Sequence, residues 1–197
     1  KDALKLLSEI GYKGIELVVW GTWDTAPERL TAEMREELRR QLDGDGLILT
    51  ALMANLQPSS DSDQQRKNAD ALKASAQLAH ELSPEKPPVI ETTLGGGEWP
   101  DVKDLFADRM HAWADIAQSA RTVIAIKPHR MNAMDRPAKG AWLLSQVESE
   151  WLRMVYDYSH YDQRNMTMED TLAISLPYTD FVAIKDTVTV DGKVGFA

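Results

Sequence analysis

Short apolar runs recur along this chain with amphipathic stretches between them, and that alternation predicts the architecture. The runs begin near Gly14, Leu47, Val89, Thr122, Leu152 and Phe181, at intervals of 29 to 42 residues. Each interval holds one strand, one helix and two loops, so the pattern predicts a βα repeat with a parallel sheet. Between the runs, Thr31 to Leu42 opens with a Thr-x-Glu start signal, and Asp61 to Leu82 carries Ala and Leu at helical spacing. Both are predicted helices. Val102, Leu105, Phe106, Trp113, Ile116 and Ala120 form the stripe of a third, with Asp101 as its expected N-cap. His111 and His80 fall off the apolar stripes and are expected on solvated helix faces.

Six βα units suit either an open doubly wound sheet or most of a (β/α)8 barrel, and the loops distinguish them. The turn Trp20-Gly21-Thr22-Trp23-Asp24 after the first run carries no G-x-G-x-x-G, as a dinucleotide-binding sheet would require. Gly95-Gly96-Gly97 leads to Glu98-Trp99-Pro100 and lacks the Lys-Ser/Thr pair of a phosphate loop, so it reads as a flexible connection. Polar residues, by contrast, recur where each run ends. Glu16 lies in the first; Asn55 and Gln57 close the second; Glu91 follows Val89-Ile90; Lys127 and His129 end the fourth; Asp157 and His160 end the fifth; Lys185 and Asp186 end the sixth. Charges of both signs around one cavity compensate one another or serve a polar ligand, and strand C-termini are where barrels gather such groups. This favours a barrel mouth.

Composition narrows the chemistry. The chain has 197 residues, 43% hydrophobic and 27% charged, with a net charge of -9 that repels phosphate backbones and anionic membrane surfaces. Neither nucleic acid nor membrane is an expected partner, and no apolar run is long enough to span a bilayer. Cysteine is absent, which removes disulfides and thiolate metal sites and fits a cytoplasmic location. Any metal would have to sit on His, Asp or Glu. The first residue is Lys1, already within a helical pattern, and the length falls short of the roughly 250 residues of such barrels, so the chain reads as a single partial domain over 1–197.

Gly11-Tyr12-Lys13-Gly14-Ile15-Glu16, Ile126-Lys127-Pro128-His129, Val155-Tyr156-Asp157-Tyr158-Ser159-His160 and Ala183-Ile184-Lys185-Asp186 resemble the xylose-isomerase-like TIM-barrel superfamily of sugar phosphate isomerases and epimerases. The resemblance implies an incomplete (β/α)8 barrel in which Gly14 begins the second strand and Phe181 the seventh, the first strand and C-terminal end lying outside this sequence. It also implies a divalent metal held by Glu, Asp, His and Glu on the fifth to eighth strands, and a pair of glutamates that shuttle a proton; a relocated metal would instead use Asp157 with Glu91, His129 or His160, whose carboxylates and imidazoles suit Mn, Mg, Co or Zn. Asp157 matches the sixth-strand metal ligand, and His160 matches a His that contacts substrate. Lys127 stands in place of the fifth-strand Glu and Ala183 in place of the seventh-strand His, while the eighth-strand Glu falls beyond Ala197. A protonated Lys cannot coordinate a cation and repels one.

The expected activity is therefore isomerisation or epimerisation of a small sugar or sugar phosphate by proton transfer next to a carbonyl, with Glu91, Lys127, Asp157 and His160 as catalytic candidates. Glu91, Glu16 and His160 are the groups available as base or acid, a carboxyl with a raised pKa or a His that titrates near neutrality serving in either role. Glu16, Asn55, His129 and Lys185, with Gln57, are the candidates for binding sugar hydroxyls, and Trp20, Trp23 and Trp99 either stack on a sugar face or pack as a lid. Two readings of Lys127 compete: an ammonium that replaces the metal's charge, or a structural ion pair with Asp157. Two other functions use the same mouth, a keto-sugar or inosose lyase or dehydratase, and a sugar-binding barrel without catalysis. Phosphodiesterase relatives with an endonuclease role would call for several His and carboxylate ligands and a basic face, against four His and a net charge of -9. Homo-oligomer formation is left open.

Overall fold

A computed structural model describes residues 2–190 and 193–196. Six strands, β1 (Gly14–Val18), β2 (Ile48–Met53), β3 (Val89–Thr92), β4 (Ile124–Ile126), β5 (Leu152–Asp157) and β6 (Thr179–Ala183), form one parallel sheet in sequential order. Such an order, with a helix in every connection, is that of a (β/α)8 barrel of which the described residues supply six strands. The sheet is curled. Glu16 on β1 feels the charge of Lys185 beyond β6, whereas five strand spacings in a flat sheet would separate them by about 24 Å.

Helices α1 (Asp2–Ile10), α2 (Ala32–Asp45), α3 (Ser62–Leu82), α4 (Trp99–Ala120) and α5 (Pro137–Val147) precede or connect the strands, and α6 (Tyr158–Asp162) and α7 (Met168–Ser175) link β5 to β6. Thr31 and Asp61 cap α2 and α3 through Met34 N and Gln64 N, as their sequence positions predict. The third predicted helix starts earlier than expected. Glu98 takes the N-cap position, Pro100 sits in the first turn where its missing N–H costs nothing, and Asp101 lies inside. Beyond β6 an antiparallel hairpin, β7 (Thr187–Val190) and β8 (Lys193–Phe196), was not foreseen.

The core lies between the sheet's outer face and the helices. Leu52, Ile90, Ile124, Ile126, Leu152 and Met154 meet Leu72, Leu78, Met110 and Leu143 there, all at most 2% exposed. Because successive side chains in a strand point to opposite faces, filling the outer face with aliphatic residues sends the alternate positions into the concave interior. Glu91 and Asp157 are such positions. His80 corrects its prediction: instead of standing in solvent it is half-buried, and its Nε2 bonds Ala120 O at 2.8 Å and Thr122 Oγ1 at 3.1 Å, tying α3 to the end of α4. His111 is exposed as expected. Among the described residues no helix is long and apolar enough to cross a membrane.

Thr92 anchors the loop that follows β2. Its buried hydroxyl accepts from Leu56 N at 3.0 Å and donates to Thr93 O at 3.1 Å. Thr92→Val keeps the shape but strands the Leu56 N–H, so we expect a loss of about 1–3 kcal/mol in urea unfolding. An unchanged midpoint would show that the loop does not depend on this bond.

Candidate active site

Register assembles the polar groups. Glu91 on β3 lies opposite Ala125 on β4, so Lys127, two residues further, projects from the same face one step nearer the strand C-termini. Asp157 ends β5 opposite Ala183 on β6, which places Lys185 in the same relation to Asp157. Lys127 N donates to Thr92 O at 2.8 Å and continues the ladder beyond β4. The turn into α6 then brings His160 back over Asp157.

The side chains interlock. Lys127 Nζ forms an ion pair with Glu91 Oε1 and lies 3.8 Å from Asp157 Oδ2. That same Asp157 oxygen receives Lys185 Nζ at 2.8 Å and lies 3.4 Å from His160 Nε2, while Ser159 Oγ donates to Asp157 Oδ1. Glu91 and Asp157 are fully buried, and Lys127 is 5% exposed. His129 packs its ring on His160 with centroids 4.1 Å apart, and its Nδ1 accepts from Met131 N at 3.2 Å. Gly95 and Gly97 allow the neighbouring β3–α4 loop to turn at φ values of 86° and 110°, and a β-carbon on Gly97 would meet Val102 Cγ1 at 2.9 Å.

Each charge responds to this setting. Glu16 is exposed on β1, yet the concave wall withdraws enough water, with Glu91 adding repulsion, to raise its carboxyl to about 7 against the pull of Lys127 and Lys185. Burial likewise raises Glu91, opposed by Lys127. Burial pushes Asp157 upward too, but the hydrogen bonds from Lys185 and Ser159 and the proximity of His160 hold it below the usual carboxylate range. His160 is lowered to about 3 by burial and by His129, Lys185 and Lys127, with Asp157 opposing. His129 is lowered by burial and by Lys185 and Lys127.

His160 is consequently a neutral ring at neutral pH and a poor proton shuttle there, contrary to the sequence expectation that it titrates near neutrality. We expect its ring nitrogens to keep the chemical shifts of a neutral imidazole in NMR spectra down to about pH 5, well below the ordinary histidine value. Imidazolium signals at pH 6 would contradict the geometry. The sign for stability follows: a folded value below the unfolded one makes the protein lose stability as pH falls from about 6.5 toward 3.

The remaining candidates divide. The structure brings Glu16, Glu91, Lys127, Asp157, His160, His129 and Lys185 to one wall. It does not bring Asn55, which is exposed and makes no hydrogen bond to the group among the described residues, nor Gln57, whose side chain lies against Gly95 and whose carbonyl accepts from Asn68 Nδ2 at 2.7 Å. Trp20 and Trp23 are 41% and 54% exposed in the loop after β1. Trp99 is no loop residue: it opens α4 and packs edge-on against Phe106 and Trp142. Sequence reasoning missed Ser159, although its place two residues after Asp157 at a helix start is a recognisable position for a short hydroxyl bond. It also paired Lys127 chiefly with Asp157, whereas Lys127 leans on Glu91 and Lys185 is the closer partner of Asp157.

The sequence matches the profile described as Xylose isomerase-like TIM barrel over residues 4–195, nearly its whole length. The chain belongs to the xylose isomerase-like TIM barrel family. Solved structures agree with that assignment. A xylose isomerase-like TIM barrel protein from Mycobacterium smegmatis in complex with magnesium superposes with a TM-score of 0.79 at 17% identity, covering 100% of this chain and 70% of that one. The probable 3-DHS dehydratase AsbF of petrobactin synthesis from Bacillus anthracis gives 0.80 at 20% identity over 96% and 69%, respectively. D-Psicose 3-epimerase with D-tagatose from Clostridium cellulolyticum H10 gives 0.79 at 12% identity over 94% and 67%. At these identities the likeness is one of fold. No curated protein matches the sequence.

Against the metal centre expected for a xylose isomerase-like barrel, the donor set does not fit. Among the described residues no three His, Asp or Glu side chains are placed to hold an ion. The Lys127 ammonium stands between Glu91 and Asp157, Lys185 binds Asp157 Oδ2, and Ala183 offers no donor opposite Asp157.

Proposed function

We propose that this protein is an isomerase or epimerase of a small sugar or sugar phosphate that moves a proton at the carbon next to a carbonyl. The observation that carries the reading is Glu16: a solvent-accessible carboxyl with a pKa of about 7, on the concave wall facing Glu91, Lys127 and Lys185. A general base works best when its pKa lies near the operating pH, because it is then both available and strong enough. Glu16 takes the proton; Glu91, buried and ion-paired, holds Lys127 rather than titrating freely. Asp157 holds Lys185 and His160 in place, so that polar hydrogens line the wall where a carbonyl and hydroxyls would lie. Membership of the family, and fold relatives described as an epimerase and a dehydratase, support carbohydrate chemistry of this kind.

The test is deuterium uptake from D2O at the carbon next to the carbonyl, followed by NMR across free and phosphorylated ketoses and keto-sugars. Exchange with interconversion of sugars is expected, with kcat/KM rising as pH passes through about 7 and Glu16 loses its proton. Loss of water to give an unsaturated product would redirect the assignment to a lyase. Saturable binding with no exchange on any sugar would leave a binding barrel and refute the reading.

A further inference from the structure

The Lys127 ammonium carries three protons, and the protein uses few of them. One meets Glu91 Oε1; Asp157 Oδ2, at 3.8 Å, attracts the charge but is too distant for a hydrogen bond. Among the described residues the remaining protons have no side-chain acceptor within bonding distance. The group is nonetheless fixed, because its side chain is 6% exposed and both flanking carboxylates are fully buried. A positive charge with free donors, immobilised on the wall that carries Glu16, is the arrangement that stabilises an oxyanion as it forms.

We propose that Lys127 does here what a divalent cation is expected to do in a xylose isomerase-like barrel, and that the protein's proton transfer runs without a metal. The inference rests on the proton-transfer reading above. As Glu16 takes the proton, the C–H electron pair becomes the C=C bond of an enolate and the carbonyl π pair moves onto oxygen, where Lys127 N–H groups meet it. When Glu16 gives a proton back to carbon, the same one or one exchanged with solvent, the oxyanion's electrons re-form the carbonyl, the C=C pair becomes the new C–H bond and the carboxylate is restored. No oxidant, reductant or co-reactant is required, and the ammonium, with no lone pair to offer, excludes a cation from the place it occupies.

The experiment titrates Mn2+, Mg2+, Co2+ and Zn2+ into the purified protein by calorimetry, with elemental analysis of the protein as isolated, and repeats both on Lys127→Glu and Lys127→Met. Wild type is expected to carry no stoichiometric metal and to show no saturable binding below about 1 mM, whereas Lys127→Glu, which joins a third carboxylate to Glu91 and Asp157, gains a Mn2+ site at least ~10-fold tighter. Lys127→Met, which removes the charge without adding a donor, should gain less. Stoichiometric metal on wild type overturns the proposal, as does a folded Lys127→Glu protein that binds no better than wild type. A variant that does not fold leaves the decision with wild type: deuterium exchange unchanged by EDTA supports the proposal, and exchange that demands added metal overturns it. Should no sugar exchange at all, the proton-transfer reading fails, while metal analysis and titration of wild type still decide whether Lys127 excludes a cation.

Discussion

Glu16→Gln is expected to lower deuterium exchange by about 10²–10⁴-fold while leaving the protein folded and its ligand affinity within several-fold of wild type. The amide has the shape of the carboxyl but accepts no proton at working pH, so the loss should fall on kcat and not on KM. Folding should not suffer. Glu16 is exposed, and its raised pKa means that the native state prefers the neutral acid. The sign is therefore opposite to that of a stabilising ion pair: between the ordinary carboxylate range and about 7 the folded protein binds more protons than the unfolded one, and stability falls as pH rises. The variant should equal or exceed wild type in thermal stability at pH 8 and show no such advantage at pH 5. An unchanged kcat would remove Glu16 from the chemistry. Glu91→Gln provides the contrast, because it breaks a buried ion pair with Lys127 and should cost stability as well as turnover.

That contrast also shows how far the residues could be read before the fold was known. Parallel strands covered on both sides appear as unbroken apolar runs, which is why β1, β3 and β5 begin at the predicted Gly14, Val89 and Leu152 and the others within two residues of their predicted starts. The start of α4 was less legible, because Asp101 is a good cap in isolation and only Pro100 marks the earlier turn. His80 was misread because its acceptors lie some 40 residues away in sequence. The identities of the polar residues at the strand ends were legible; their pairing was not. Whether Lys127 turns to Glu91 or to Asp157 depends on the stagger of β3, β4 and β5, and a single-residue slip would reverse the face on which each projects. The titration behaviour of Glu16 was hidden for the same reason. It arises from curling that brings Glu91, Lys127 and Lys185 near β1.

Asp157→Asn is expected to destabilise the protein by about 3–5 kcal/mol, because removing one partner of a buried ionic group leaves the other charges uncompensated. Asp157 is fully buried, and one of its oxygens answers Lys185 at 2.8 Å, His160 at 3.4 Å and Lys127 at 3.8 Å. The neutral amide would place a donor or a weak acceptor where two ammonium groups converge. For a chain of this size the loss corresponds to a fall in Tm of about 6–20 °C. Since Lys185 is the closest partner, Asp157→Asn combined with Lys185→Met should recover more than about 1 kcal/mol relative to the sum of the single effects, a coupling that independent sites would not show. The pH dependence separates electrostatics from shape. The folded pKa of Asp157 lies below its unfolded value, so its contribution is complete above the unfolded value and is lost as pH falls through the folded one. Urea midpoints of wild type and Asp157→Asn should differ by a constant amount from pH 8 to about 5 and converge only below about 4, where the unfolded carboxyl begins to take up its proton. Equal midpoints at pH 7 would mean that Lys185 and Lys127 find other compensation, and a gap that persists undiminished to the lowest pH would assign the loss to packing of the amide instead of to charge.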